Sequence, residues 1–470
     1  MSLQTLDADL AALAEARDAA RRAKAAFNAF EGATQEEIDR IVAAMAAAAA
    51  AAAKDLARLA VDETGYGVYE DKILKNLYNA DFCAKSMVGM RTKGVLWVDE
   101  PGRMTAIGSP VGVIAAIIPV TNPTSTVIYK CLAAVKAGNA VVHAPHPRAV
   151  KCCSLTAQIM GDAAVQAGAP KDIIQCLTKA SIDATAELMR HPDTALIMAT
   201  GGAGMVRAAY QAGKPCLAVG AGNVPVYVHS SVPNLDEAAL MVVTSKSFDN
   251  GTACVAEQTV VIDGSIYAAG IEAFKRRGCA MLDKNEQTKL AAVIFDERGG
   301  LRADNVGQSA TVLAQRAGVS VPDDTRVLGA ELDVVGRANM LSAEILGPVL
   351  SFYRADTFEQ GIDWCRQVLA FGGEGHTLGI HAGDPEVVAR LSELPASRIP
   401  VNTPSLFGGM GYSTEIGPSF MLGTGSWSGS ITSDNVSPLH LINIKRVAYE
   451  SRPWRGLYGN NVPAHIGIAP

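Results

Sequence analysis

The sequence predicts an α/β protein of two doubly wound α/β domains with a cleft between them. Three observations carry this prediction. Apolar, β-branched runs alternate with helical patterns from about residue 110 to about 430. The alternation restarts near Leu235, with no low-complexity linker or internal repeat before it. At 470 residues, 49% hydrophobic and 19% charged, the chain is long and apolar enough for two or three domains.

The N-terminal ~85 residues read as helical. Leu6, Leu10, Leu13, Ala16, Ala20, Ala23, Phe27 and Phe30 recur in steps of three and four, the stripe of an amphipathic helix. Thr34 and Glu37 form a capping box for the next helix. The Ala-rich run from Val42 to Ala53 is only weakly apolar and has charged flanks, so it reads as a tightly packing helix and not as a membrane span. PVGVIAAIIPV, from Pro110, is a strand buried on both faces. In TNPTSTVIYKCLAAVKAGN, Pro123 opens a helix and Gly138 closes it. The strands NAVVHAP, DIIQCL, TALIMAT and PCLAVGAG then alternate with helices, the pattern of a parallel sheet with its ligand site at the carboxyl ends of the strands. A second unit begins at LDEAALMVVTSKSF and continues through SFDNGTACVAEQTVVID and IYAAGIEAFKRRG. The last forty residues, with SPLHLINIKRVAYE, add no further domain.

A net charge of −6 gives no reason to expect nucleic acid or an anionic membrane as partner. The charged, amphipathic start does not read as a secretory leader, and no run of eighteen strongly apolar residues appears. Nine cysteines without a CxxC pair or zinc spacing fit reduced thiols in a cytosolic setting, and no metal is expected.

No good G-x-G-x-x-G is present. Gly220-Ala-Gly222 lacks the third glycine, and Gly423-Thr-Gly425-Ser-Trp-Ser-Gly429 has the wrong spacing, so both read as turns. Thr200-Gly-Gly-Ala-Gly204 follows a strand and opens a helix, where backbone amides can hold a phosphate. Cys131, Cys152, Cys176 and Cys365 lie in helix or strand patterns and read as packing residues. Cys254 differs, because small residues Gly251-Thr-Ala precede it and an apolar strand follows. It is either a packing residue or a rigidly held nucleophile. His143 and His146 flank Pro145 at a strand end and are not a metal pair.

FDNGTACVAEQ resembles the nucleophile loop of the aldehyde dehydrogenase superfamily. PVGVIAAIIPVTNP, NAVVHAPHP, TGGAGMV, EILGPV and IPVNTPS resemble further motifs of that family, in its order and over nearly the whole chain. Ala218 stands where hydrolytic members carry a water-activating glutamate, Gly222 where a lysine is usual, and Ala144 where another lysine precedes proline. These departures resemble the CoA-acylating branch. DETGYGVYEDKILKN and SWSGSITSDNVSPLHLINIKRVA resemble enzymes of alcohol and propanediol fermentation, including microcompartment propionaldehyde dehydrogenases.

The resemblance implies a Rossmann-like NAD-binding domain over 1–234, a catalytic cysteine domain over 235–432, and an oligomerisation strand and tail over 433–470. Residues 92–110 would join the oligomerisation arm of a homodimer or homotetramer. It implies oxidation of a short-chain aldehyde, propionaldehyde or acetaldehyde, with NAD+ and coenzyme A to acyl-CoA and NADH. Cys254 is the implied nucleophile and Asn122 the implied oxyanion donor, with a helix N-cap before Pro123 as the plainer role for Asn122. Ile118, Pro119, His143, Pro145, Gly201, Gly202, Ala218, Val219, Gly220, Glu344 and Leu346 are the implied cofactor contacts, with Glu344 on the nicotinamide ribose and His143 at the adenine. The implied setting is the cytoplasm or the interior of a bacterial microcompartment, with shell or cargo proteins as partners in the latter. The competing readings are a hydrolytic aldehyde dehydrogenase, a reductase of acyl phosphates and a non-catalytic scaffold; the acceptor (CoA, water or phosphate) and NAD+ binding separate them.

Overall fold

The structure, a computed structural model, describes residues 3–458. Two parallel sheets organise it. The first has five strands in the order Ile174–Cys176, Ala140–Pro145, Val113–Ile118, Thr194–Thr200, Cys216–Val219. The chain winds outward from Val113–Ile118 in one direction and then in the other. A topological switch point therefore opens between that strand and Thr194–Thr200. Every residue of Val113–Ile118 and Ala140–Pro145 is buried, as continuous apolar runs require when helices cover both faces.

The second sheet has six strands, ordered Cys279–Leu282, Val327–Glu331, Val349–Ala355, Glu257–Asp263, Val224–Val228, Gly379–His381. Val224–Val228 pairs here, with Glu257–Asp263 and Gly379–His381. The expected boundary at 234 placed Val224–Val228 in the first unit without naming a strand there. The chain changes sheets earlier, in the Gly220–Asn223 turn, because Asn223 is buried there and donates to the Ser342 and Val368 carbonyls of the second unit. A small antiparallel sheet joins Gly94–Val98, Met104–Pro110 and Ile442–Ala448. Residues 459–470 of the expected C-terminal tail lie outside the described residues.

The first helix, Leu3–Phe30, buries Ala12, Ala16, Ala19, Ala20, Ala23, Phe27 and Phe30. Its stripe is narrower than expected at the start: Leu10 is 63% exposed, because the small alanines, not the leucines, allow close approach to the sheet. The capping box at Thr34 and Glu37 is present, and the Ala-rich segment forms a helix, Gln35–Ala51, that breaks at Ala52 and resumes as Ala53–Thr64. Among the described residues no helix is long and apolar enough to cross a membrane. All nine cysteines are free thiols.

Candidate active site

The carboxyl ends of the first sheet's strands open into a cavity of about 580 Å³ that runs to Cys254. Ile118, Pro119, Pro145, Gly201, Gly202, Val219, Gly220, Glu344, Leu346, Asn122 and Cys254 all line it. The fold thus gathers every expected site residue except two. His143 is fully buried, with its ring nitrogen 3.1 Å from the Cys131 sulphur. Burial, and then the nearby Lys130 ammonium, lower its pKa to about 3. It packs against helix Pro123–Lys136, inside the strand and short of the carboxyl end at which Ala144 and Pro145 reach the cavity. His146, in the next loop, lines the cavity instead. Ala218 is 2% exposed and sits behind the wall that Val219 and Gly220 form.

The residues at the first-sheet end fit a dinucleotide. Helix Ala203–Tyr210 starts at Gly202, whose position makes no side-chain cap. The Ala203 and Gly204 amides are therefore left for an anion, while the Met205 amide donates to the Gly202 carbonyl at 2.9 Å. A Cβ built on Gly202 would have nothing within 4 Å, so a phosphate has room to approach that backbone. Ser181 caps the neighbouring helix by accepting from the Ala184 amide, and it edges the same cavity.

The thiol end is built differently. Asp249, Asn250 and Gly251 hold φ of 50°, 51° and 68°, three consecutive left-handed residues. Two are not glycine, each costing about 1–2 kcal/mol. Hydrogen bonds hold them there. Asp249 donates its amide to Asp71, and Asn250 donates its side-chain amide to the Gly307 carbonyl. The Asp249 carboxylate, fully buried, accepts from the Lys75 and Lys72 ammonium groups at 2.6 and 3.0 Å, from Thr252 at 2.8 Å and from the Val68 amide at 2.7 Å. The turn delivers Cys254, partly exposed, to the cavity. Its sulphur lies 3.3 Å from Nε2 of the buried His376. Gly222 is required on the other side, since an added Cβ would overlap the Cys254 carbonyl oxygen.

Asn122 ends the strand side of the site. It occupies the N-cap position of helix Pro123–Lys136, yet its side chain makes no cap bond. Its amide oxygen accepts from Lys75 at 2.7 Å, and its amide nitrogen donates to the Thr252 carbonyl at 3.0 Å. The side chain is thus directed at the turn that carries Thr252 and Cys254 and not at its own helix.

Burial pushes the Cys254 thiol up to about 12, Glu344 adds to this, and Arg398 and Lys75 oppose it. Burial and Arg398 push His376 well below the usual histidine range, so it is neutral. The thiol's proton therefore stays on sulphur in this state. Burial raises the Glu344 carboxyl too, against the Gly222 amide that it accepts at 2.8 Å. Burial also lowers Lys246, which donates to Gln258 and to the Ile345 carbonyl, to about 7.

Sequence reasoning missed Lys72, Lys75, Asp249, His376 and Arg398. Lys72 and Lys75 lay inside a quoted motif but carried no assigned role. A signal did exist, since two lysines three residues apart on a helix with a buried face need a buried anion. Among the described residues, no group of three or more His, Cys, Asp or Glu is placed to hold a metal ion.

Fold and site together define a two-sheet α/β protein with a dinucleotide-type cleft ending at a partly exposed thiol. The chain belongs to the aldehyde dehydrogenase family, whose model matches residues 4–413. It is 42% identical over 458 residues to the bifunctional aldehyde-alcohol dehydrogenase of Escherichia coli (strain K12), covering 96% of this chain and 50% of that protein. The chain thus spans about half the length of the first curated relatives it matches. An acetylating aldehyde dehydrogenase from Geobacillus thermoglucosidasius has a similar structure, with a TM-score of 0.92 at 46% identity, covering 95% of this chain and 98% of that one. A Rhodopseudomonas palustris propionaldehyde dehydrogenase with bound CoA and an acylated cysteine has a TM-score of 0.82 at 26% identity, covering 92% and 96% of the two chains.

Proposed function

We propose that this chain oxidises a short, uncharged aldehyde with NAD+ and CoA to acyl-CoA and NADH, through an acyl thioester on Cys254. One observation carries the reading: Cys254, Asn122 and the phosphate-type helix start at Gly202 line one continuous cavity, in which Glu344 is the single carboxylate. In this reading the Cys254 thiol loses its proton to solvent, and the thiolate sulphur adds to the aldehyde carbon to form a thiohemiacetal oxyanion. The oxygen that becomes anionic takes hydrogen bonds from the Asn122 amide and the Cys254 backbone N–H. NAD+, when bound, accepts the hydride. Gly201 and Gly202 would hold its phosphates, Ile118, Pro119 and Pro145 its adenosine half, and Glu344 a ribose.

The acyl group then leaves to a second thiol, an exchange of one thioester for another that is nearly neutral in energy. Release to water needs a general base beside the thioester. Ala218 supplies none, and one Glu344 oxygen is engaged by the Gly222 amide. His376 lies 3.3 Å from the sulphur, but burial and Arg398 push it well below the usual histidine range, so it is a weak base that orients the thiol without activating water. Thr126, Val255, Met410, Phe420 and Leu422 form the wall beyond Cys254 and carry no charge, which supports an apolar aldehyde of propionaldehyde size. The exposed antiparallel sheet, with Trp97, Val98, Ile444 and Val447 open to solvent, supports assembly with a second copy.

Cys254→Ala abolishes acyl-CoA formation while NAD+ still binds, checked by acyl-CoA assay and by cofactor titration. Turnover retained in that variant overturns the nucleophile assignment. In the wild type, aldehyde plus NAD+ without CoA gives only a brief burst of NADH; sustained NADH production favours release to water.

A further inference from the structure

We propose that Lys75 is a positioning residue that fixes the Asn122 amide with its NH2 end toward the reacting oxygen; this rests on Asn122 serving as the oxyanion donor. Lys75 is 3% exposed, and the three hydrogens of its ammonium are all engaged. They reach the Asn122 amide oxygen at 2.7 Å, the Asp249 carboxylate at 2.6 Å and the Thr252 hydroxyl at 3.0 Å.

An ammonium only donates and a backbone carbonyl only accepts. The Asn122 atom facing Lys75 is therefore its oxygen, and the atom facing the Thr252 carbonyl is its nitrogen. Flipping the amide would set an N–H against an ammonium and an oxygen against a carbonyl oxygen. Two single-function partners thus decide the orientation between them. The second amide hydrogen reaches only the Thr121 hydroxyl, at the longer distance of 3.2 Å, and Thr121 itself lines the cavity. A developing oxyanion takes that hydrogen in exchange for a neutral hydroxyl.

Lys72 and Lys75 both pair with Asp249, and the Asp71 carboxylate that accepts the Asp249 amide adds a second negative charge to the cluster, so the two lysines differ in what else they hold and not in charge balance. Burial lowers the pKa of Lys75 against the pull of Asp249, so a second buried ammonium is costly where it stands. What Lys75 adds, and Lys72 does not, is the bond to Asn122. Lys72 instead donates to the Thr121 backbone carbonyl.

The test is a double-mutant cycle on the full chain, reading kcat for aldehyde oxidation in the presence of NAD+ and CoA, with NAD+ affinity and thermal unfolding measured beside it. Asn122→Ala lowers kcat by about 100-fold to 1000-fold, the loss expected for one oxyanion donor. Lys75→Met lowers kcat by about 30-fold or more, with NAD+ affinity within about twofold of wild type. Added to Asn122→Ala, it costs less than about threefold more, because the residue it acts through is gone. Where Lys75→Met does not fold, Lys75→Gln, which keeps a donor without the charge, is expected to retain more than about a third of wild-type kcat, and a loss as large as that of Asn122→Ala overturns the positioning role. Losses that multiply in the double variant overturn the positioning role and assign Lys75 to loop structure or to thiol electrostatics. A near-wild-type Asn122→Ala overturns the oxyanion-donor reading itself, a different outcome from multiplying losses.

Discussion

At the first-sheet end the cavity wall consists of strand ends, glycines, apolar side chains and a few neutral polar ones such as Ser181 and Thr200, with a helix start that has unclaimed amides. At the thiol end the wall rests on buried ions, Lys72, Lys75 and Asp249 under the Asp249–Cys254 turn and Arg398 behind the neutral His376 that faces the sulphur. The first region can recognise a ligand by shape and backbone, with little of its own stability at stake. The second holds reacting atoms in place through charges that are uncompensated if one partner goes. The contrast teaches where precision is needed. A cofactor that spreads over many contacts tolerates small shifts, whereas a nucleophile and an oxyanion donor must stay within a fraction of an ångström of a working geometry.

The largest effect that separates the two regions is expected at Asp249. Asp249→Ala leaves two buried ammonium groups without their anion and releases a left-handed turn, at a cost of about 3–5 kcal/mol in denaturant unfolding at neutral pH. Ile118→Val, at the other end, costs about 0.5–1.5 kcal/mol. Burial alone would raise the Asp249 carboxyl, but Lys75 and Lys72 outweigh it and the net direction is down. A depressed carboxyl contributes stability that is fully present above the ordinary carboxylate pKa and is lost as pH falls through the folded value. The difference between wild type and Asp249→Ala therefore shrinks in acid. Equal costs at the two ends erase the contrast.

The same contrast explains what the sequence revealed. The first-sheet end was legible because its parts are local. PVGVIAAIIPV shows its own burial, and Thr200-Gly-Gly-Ala-Gly204 shows a strand end feeding a helix. The thiol itself stood out through its small neighbours. Its support did not, because Lys75 and Asp249 are 174 residues apart, and Cys254 and His376 are 122 apart. No periodicity or spacing reports a contact of that kind. The misplacement of His143 has the opposite cause. The motif around it places a strand end correctly, but only residues 144 and 145 stand close enough to that end to reach the cavity, and packing against Cys131 holds His143 inside. The role of Gly222 was hidden as well, since it depends on the nucleophile loop crossing the second-sheet turn at close range.

A second prediction sharpens the electrostatic side. With burial holding the Cys254 thiol near 12, only a small thiolate fraction exists at neutral pH in the absence of ligands. Alkylation of Cys254 by iodoacetamide, followed by peptide mass, is expected to rise about tenfold per pH unit from pH 7 to pH 9, with no plateau in that range. The thiolate is the nucleophile, so the slope follows its population. A plateau below pH 8 shows a thiol already activated in the free protein, and then Arg398 and Lys75 outweigh burial and Glu344.

Glu344 is where the two regions meet, and its effects are the smallest and the most diagnostic. Its carboxylate accepts the Gly222 amide at the turn between the sheets, and its charge adds to the rise of the Cys254 pKa. Glu344→Gln keeps an oxygen for the Gly222 amide and removes only the charge. At the cofactor end this weakens a hydrogen bond to a ribose hydroxyl, raising KM for NAD+ by about threefold to tenfold, in the range of one charge-assisted bond. At the thiol end it removes an anion, so alkylation of Cys254 at pH 8 speeds up by about twofold, the scale of a partly screened charge pair. The two readouts move in opposite senses, affinity down and thiol reactivity up. Damage to the fold would also uncover the thiol and speed its alkylation, so the effect of the charge is read in a variant whose thermal unfolding matches wild type. A variant with unchanged KM removes Glu344 from the cofactor, and a variant with slower alkylation reverses the sign assigned to its charge.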